Sequence, residues 1–421
     1  MEKLYLIGFG PGCEDMLTNR AVDALGSAQR VLSTERFANV KSTANPGAKE
    51  NGKGDGKTQG LSLTELLKEL ENPVKGETAV LVSGDPGFFS AAKIIIRDFS
   101  NMYDIEVIPG IGSISYFSAR IKAPYGDASL ISLHGRNENI VSKVSYNKKI
   151  FALTGGENSV RKILDDLCSH GLGNVSIVIG ERLSYSDERI LSGKACELQD
   201  NEFDELSVIY IENPLAADPH VPLRDGDFFR GDIPMTKEEI RWLAVNKLSI
   251  EPGDLVLDIG AGTGSVAVEM ARKAYDGFVF AVEAKEEACG LIRKNAEKHG
   301  AFNIGILHGE APDVLDSLSL PGKAMPEKAF PSKAFIGGSS GRMDGIISKL
   351  VSLNPDIHII VTAITLQTLA SVMECFERHG ISDPDVICVN IAKAKKYGGS
   401  DIMAAQNPVY IISGKGNYGN E

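Results

Sequence analysis

Short apolar runs recur along the chain and alternate with stretches whose apolar residues fall three and four positions apart. The runs at 4–8, 79–83, 105–108, 150–153, 176–180 and 207–211 read as strands, with helical periodicity at 64–71 and 160–170. After an interruption the alternation resumes, with strands predicted at 255–258, 278–283, 304–308, 334–336 and 357–363. Strands that alternate with helices predict α/β architecture built on parallel sheets. The last two runs, 386–392 and 409–413, have no helical pattern between them, so they are expected to pair antiparallel and close the second sheet.

The interruption itself is informative. Residues 213–232 carry Pro214, Pro219 and Pro222 with no long apolar run, which predicts a linker at 213–230 between domains at 1–212 and 231–421. Two further irregular stretches, 41–60 and 321–333, read as exposed insertions. The total of 421 residues suits two or more domains, and 43% apolar with 24% charged residues is ordinary globular composition. No apolar run approaches the length of a membrane span, and the start of the chain lacks a leader pattern, so a cytoplasmic protein without membrane contact is expected. The six cysteines, Cys13, Cys168, Cys196, Cys289, Cys375 and Cys388, stand singly, which predicts neither a metal site nor a disulfide framework. A net charge of −12 opposes a nucleic-acid partner, because such binding rests on neutralising phosphates.

Each half carries a glycine-rich turn directly after an apolar strand. The first is Leu-Tyr-Leu-Ile-Gly8-Phe-Gly10-Pro11-Gly12; the second is Leu-Val-Leu-Asp258-Ile-Gly260-Ala-Gly262-Thr-Gly264, followed by a helical pattern from Ser265. Such turns let backbone approach a ligand closely. The second has two readings, since a dinucleotide pyrophosphate also settles on a glycine turn and helix N-terminus. Asp258 would repel a pyrophosphate but suits the ammonium of S-adenosylmethionine. Glu283, 19 residues after Gly264, ends the next strand, where a carboxylate accepts from ribose hydroxyls, and Glu310 with Ala311 would flank the adenine.

Further motifs fix the order of the two halves. Residues 231–421 hold Ile233-Pro-Met-Thr236-Lys237-Glu-Glu-Ile-Arg241 and Phe335-Ile-Gly337-Gly338-Ser-Ser-Gly341 beside the Asp258 turn, and resemble the decarboxylating methyltransferase domain of cobalamin biosynthesis. Residues 1–212 hold Gly8-Phe-Gly-Pro-Gly12, Ser83-Gly84-Asp85-Pro86, Pro109-Gly-Ile-Gly-Ser113 and Ser132-Leu-His134-Gly135-Arg136, and resemble the tetrapyrrole methylase family. The resemblance implies a two-lobed tetrapyrrole methylase fold followed by a class I Rossmann-like methyltransferase fold, with one S-adenosylmethionine site in each. It implies donor contacts from Pro11, Gly84, Asp85, Phe88, Gly112, Ser113 and Thr154 in the first half. The implied activity is methylation of a precorrin or cobalt-precorrin at carbon 5 by the first half, and at carbon 15, with loss of the ring C acetate carboxylate, by the second. A homo-oligomer is expected on the same ground.

A substrate with several acetate and propionate arms needs cations. Lys237, Arg241, Arg342 and the Lys393, Lys395, Lys396 group are candidates in the second half, with Arg120, Arg136 and His134 in the first; Thr236 and Gly338 border the same motifs. Thr236 with Glu239 three residues on also reads as a capping box opening a helix at Thr236. Electron-rich meso carbons attack a sulfonium methyl directly, so no side-chain nucleophile or metal is required, and alignment is the protein's main task. Two other classes stay open at this level: an RNA methyltransferase, and a binding protein that senses the methyl donor.

Overall fold

A computed structural model of the chain describes residues 1–34, 37, 59–133, 139–318 and 330–416. His134 and Arg136, most of the 41–60 insertion and most of the 321–333 insertion lie outside the described residues. The chain forms two compact units, the first made of residues 1–137, 148–169 and 173–214, the second of 138–147, 170–172 and 215–421.

The first unit holds two sheets. Strands β1 (Glu2–Gly8), β2 (Arg30–Thr34), β3 (Gln59–Leu61), β4 (Glu77–Val82) and β5 (Tyr103–Ile108) are all parallel, in the order β3-β2-β4-β1-β5. Leu4, Leu6, Val80 and Val82 point to one face, and Tyr5, Ile7, Ala79 and Leu81 to the other, so the later parts of β1 and β4 are apolar on both faces because helices cover both sides. A second sheet joins β6 (Ser129–Ser132), β7 (Lys149–Leu153), β8 (Ser176–Glu181), β9 (Arg189–Lys194) and β10 (Ser207–Glu212) in the order β6-β7-β10-β8-β9, with β6 and β7 parallel and the other pairs antiparallel.

The second unit is built on one seven-stranded sheet. Its strands are β11 (Leu255–Ile259), β12 (Phe278–Glu283), β13 (Ile304–His308), β14 (Lys333–Ile336), β15 (His358–Ala363) and β16 (Ile381–Val389); β17 (Ala392–Tyr397) and β18 (Ser400–Ala405) form a separate hairpin, and β19 (Val409–Gly416) returns to the sheet. The order is β13-β12-β11-β14-β15-β19-β16, parallel except that β19 runs antiparallel to both β15 and β16. The expected antiparallel partnership of the last two apolar runs is present, but β19 inserts between β15 and β16 instead of adding at the edge. Alternation along the strands supplies two cores. Leu257, Ile259, Phe280 and Ile336 meet the helices Met343–Leu353 and Leu366–Arg378, while Val256, Val279, Ala281 and Phe335 meet Glu238–Lys247, Ser265–Lys273 and Glu286–Lys298.

Two local expectations fail. The helix Glu238–Lys247 starts after Lys237, not Thr236, and no side chain caps it; Glu239 instead pairs with Lys393 at 2.7 Å. The stretch expected as a linker is strapped to the second unit from Leu215 onward. Arg241, fully buried, donates to the carbonyls of Leu223 (2.7 Å) and Thr236 (2.8 Å) and to Asp225 (3.1 Å), and its ring of partners includes Glu269 at 3.8 Å. Arg272 donates to the carbonyl of Val221 at 2.9 Å and pairs with Glu269 at 3.3 Å. A proline-rich segment shows no apolar period, so its docking through backbone carbonyls was invisible in the pattern. Arg241→Ala would leave Asp225 without its cation and the Thr236 carbonyl without its donor, while Glu269 keeps Arg272. A loss of about 1–3 kcal/mol is expected for the second unit, read as a lowered urea midpoint of the full chain.

Candidate active site

The C-terminal ends of β11, β12, β13, β14 and β15 open onto one cavity of about 570 Å³ in the second unit. One wall consists of three turns. Gly260–Gly262 follows β11, Glu283–Lys285 ends β12, and Gly309–Ala311 follows β13. Gly260 adopts φ +72°, and a Cβ there would lie 2.8 Å from the carbonyl oxygen of Gly338, so the turns after β11 and β14 touch backbone to backbone.

Beneath this turn Asp258 is completely buried. Neither of its carboxylate oxygens makes a well-formed hydrogen bond, and burial, reinforced by the neighbouring charge of Glu283 and only partly opposed by the nearby backbone N–H of Ala267, pushes its pKa up to about 7. Glu283 is held differently. Its Oε2 accepts from the Gly262 N–H at 2.8 Å and its Oε1 from the Lys285 N–H at 2.9 Å. Each oxygen keeps lone-pair capacity for a second donor, so the carboxylate is fixed in place yet free to receive a diol. An uncompensated buried carboxylate, a bare glycine cradle and a pinned acceptor fit an S-adenosyl group: ammonium, chain and ribose in turn.

The remaining second-half candidates divide by placement. Thr236, Lys237, Gly338, Glu310 and Ala311 line the cavity, whereas Gly264 begins the helix Ser265–Lys273. Arg241 does not line it; contrary to expectation its hydrogen bonds serve the chain, and by gripping the Thr236 carbonyl it holds the Thr236–Lys237 wall. Arg342 is half-exposed at the rim, bound to both oxygens of Asp313 at 2.7 Å and 3.7 Å from Glu310. Lys393 is paired with Glu238 (3.2 Å) and Glu239 (2.7 Å), and Lys395 and Lys396 lie exposed on β17. Sequence reasoning passed over Lys285, Thr362, Ile364, Gln406 and Asn407, all of which line the cavity. The last four sit at the end of β15 and just ahead of β19, adjacent only because β19 inserts beside β15.

In the first unit three turns converge after β1, β4 and β5, which are neighbours in the sheet. A Cβ on Gly8 would lie 2.6 Å from the Gly110 nitrogen and 2.7 Å from the Gly84 oxygen, so only glycine admits this meeting. Gly10 and Gly84 bridge through paired backbone bonds of 3.0 and 3.2 Å, and Pro11 follows at once. Asp85 turns the chain by accepting from the Gly87 N–H at 2.7 Å, and its carbonyl accepts from the Phe88 N–H at 3.1 Å. Gly112 precedes the helix Ser113–Ile121, its missing Cβ 3.8 Å from that of Asp85. Tyr185, which carries no motif, packs its ring onto Gly12 from the β8–β9 side. Thr154, at the end of β7, donates its hydroxyl to the Ser207 carbonyl at 2.9 Å. Arg120 is paired with Glu188 at 2.7 Å.

Sheet order, glycine turn and acidic strand ends together define the second unit as a class I methyltransferase. The precorrin methyltransferase domain family matches residues 227–415, and the tetrapyrrole (corrin/porphyrin) methylase family matches residues 3–199. Over 187 residues the chain is 41% identical to a Saccharolobus solfataricus protein named "Probable cobalt-precorrin-6B C(15)-methyltransferase (decarboxylating)", covering 44% of this chain and 89% of that one. It is 29% identical over 346 residues to the precorrin-6Y C(5,15)-methyltransferase [decarboxylating] of a Sinorhizobium species, covering 80% and 79% of the two chains. A crystal structure of precorrin-6y C5,15-methyltransferase from Geobacter metallireducens is 33% identical, covering 46% of this chain and 97% of that one, with a TM-score of 0.42. The chain belongs to the decarboxylating precorrin methyltransferases, S-adenosylmethionine-dependent enzymes of cobalamin biosynthesis.

The state of Asp258 sets a pH dependence of stability. Its folded value, about 7, lies above the ordinary carboxylate value, so its contribution is fully present below about pH 4 and is lost as pH rises through about 7. Asp258→Asn removes that loss. Without donor, the variant's advantage in urea midpoint is expected to be wider near pH 8 than near pH 5; equal gaps at both would show that the carboxylate is not strained by burial.

Proposed function

We propose that the chain carries two methyl-donor sites and acts twice on one macrocycle. Residues 1–212 methylate carbon 5 of a precorrin or cobalt-precorrin; residues 231–421 methylate carbon 15 and remove the ring C acetate carboxylate. The observation that carries this reading is that each half has its own glycine-lined convergence of strand ends, while the Sinorhizobium relative named for both carbons covers 80% of the chain and the Saccharolobus relative named for carbon 15 alone covers 44%. S-adenosylmethionine, when bound, supplies an electrophilic methyl group.

In the second half Asp258 receives the donor's ammonium, Glu283 the ribose hydroxyls, and Glu310 with Ala311 borders the adenine. In the first, bare backbone from Gly8–Gly12, Gly84–Phe88 and Gly112–Ser113 does the equivalent work without a buried charge, with Thr154 at its margin. Neither half needs a nucleophilic side chain, because the meso carbon attacks the methyl group and the walls fix the line of approach. Lys237, Lys285 and Arg342 are the cations nearest the second cavity for the remaining carboxylate arms, and Arg136 and His134 are proposed for the first. An RNA methyltransferase is not favoured by relatives named for precorrins, and nothing supports a donor sensor over an enzyme. We further propose self-association and a cytoplasmic setting; among the described residues no helix is long and apolar enough to cross a membrane.

Product mass tests the division of labour. With labelled donor and precorrin-6Y, the intact chain is expected to add two methyls and lose one carbon dioxide. Asp258→Asn should stop at one methyl with no carbon dioxide lost. Gly112→Leu, tolerable at φ −64° but bulky beside Asp85, should lose the other methyl. Any variant that loses both activities together contradicts two independent sites.

Donor affinity in the second half should also titrate. The complex pairs a carboxylate with an ammonium, so affinity is expected to rise as Asp258 ionises near pH 7 and to fall as the donor's amino group, with an ordinary value of about 7.7–8.0, deprotonates. Calorimetric titration of the Gly112→Leu chain across this range checks it; a flat profile would remove Asp258 from the role.

A further inference from the structure

The second cavity is asymmetric in charge. Its ionisable lining groups among the described residues are Lys237, Glu283, Lys285 and Glu310, all on segments that precede Gly337 in the chain. The wall beyond, carried by β14, β15 and the start of β19, offers Thr362, Gln406 and Asn407 with glycine, serine and aliphatic neighbours, and no charged side chain among the described residues. Gln406 and Asn407 line the cavity as the two residues before Pro408, at the point where β19 enters beside β15 through the Ala363–Tyr410 register. From β11 to β19 is three strand spacings, about 14 Å, so Gln406 and Asn407, ahead of β19, lie well away from the Gly260–Gly262 turn.

We infer that Asn407, with Gln406 and Thr362, is the seat of the acetate arm that loses carbon dioxide. This rests on the reading that residues 231–421 carry the decarboxylation. In that step the bond between the acetate methylene and its carboxyl carbon breaks, and carbon dioxide leaves. The electron pair passes into the conjugated macrocycle, and one proton from solvent ends on the former methylene, leaving a methyl group. Negative charge therefore departs from the carboxylate as the transition state forms. A lysine or arginine paired with it would stabilise the ground state more than the transition state and slow the reaction. Amide and hydroxyl donors orient the same group with weaker, neutral hydrogen bonds and leave it poorly solvated, which favours departure. The arms that must survive are the ones that fall to the lysines. A single cavity thus discriminates among chemically alike carboxylates by giving one of them no counter-ion.

The test places a cation where the wall is neutral. Asn407→Arg in the full chain, assayed with labelled donor and precorrin-6Y, is expected to keep or lower the KM for the macrocycle while the ratio of decarboxylated to carboxylate-retaining product falls at least ~10-fold. Asn407→Leu, which removes the hydrogen bonds without adding charge, should raise KM and leave that ratio much closer to the intact chain's. Donor binding measured by calorimetry should be unchanged in both, which separates a wall effect from misfolding. An unaltered product ratio in Asn407→Arg, or methylation and decarboxylation falling in parallel, overturns the assignment. Failure of the underlying reading is distinguishable, because Asp258→Asn would then continue to release carbon dioxide while Asn407 is intact.

Discussion

A carboxylate sealed under a glycine turn without a well-formed hydrogen bond is the constraint on which the second unit depends. Burying Asp258 without a partner costs free energy that the surrounding apolar strands must offset, and Leu257, Ile259, Ala281 and Phe335 on and beside β11 are all buried. The turn above it has almost no freedom of its own, since Gly260 is pressed against Gly338 and Gly262 donates to Glu283. The cost is therefore held in rigid elements, and either a proton or a neighbouring cation would relieve it.

The first unit reaches a comparable end by another route. Its three converging turns present backbone alone, and the residues that close them are glycines whose absent side chains let β1, β4 and β5 end within contact of one another. Recognition by backbone costs no desolvated charge and imposes no dependence on the ionisation of a protein group. The two units thus differ in what their strand ends present: bare backbone in the first, a buried carboxylate beside a pinned one in the second.

Strand positions were legible in the sequence wherever both faces of a strand are buried, because an uninterrupted apolar run such as 255–258 or 278–283 admits few other readings. The motif residues on those strand ends were legible too, since a turn between buried strand and helix has to be glycine-rich. What escaped was set by tertiary contact. The hairpin β17–β18 is almost wholly exposed, so its Ala-Lys-Ala-Lys-Lys-Tyr run carried no apolar alternation. The Thr236 cap failed because Arg241 draws the Thr236 carbonyl inward and the helix starts later. Arg241 itself, a charged side chain fully buried, reads from sequence as a surface cation. Gln406 and Asn407 gave no signal at all, as their place beside β15 follows from an insertion of β19 that no local pattern encodes.

Charge economy links these features to the chemistry. An acidic protein that must hold a polycarboxylate has few cations to spare, and several of those anticipated for substrate are committed elsewhere: Arg241 to Asp225, Arg120 to Glu188, Lys393 to Glu238 and Glu239. Scarcity has a positive consequence here. An abundance of arginine in the second cavity would grip every carboxylate arm alike, and the arm destined to depart would be the most stabilised of all. Restricting positive charge to one side of the cavity, with neutral amides on the other, turns a shortage of cations into a basis for choosing which carboxylate is lost.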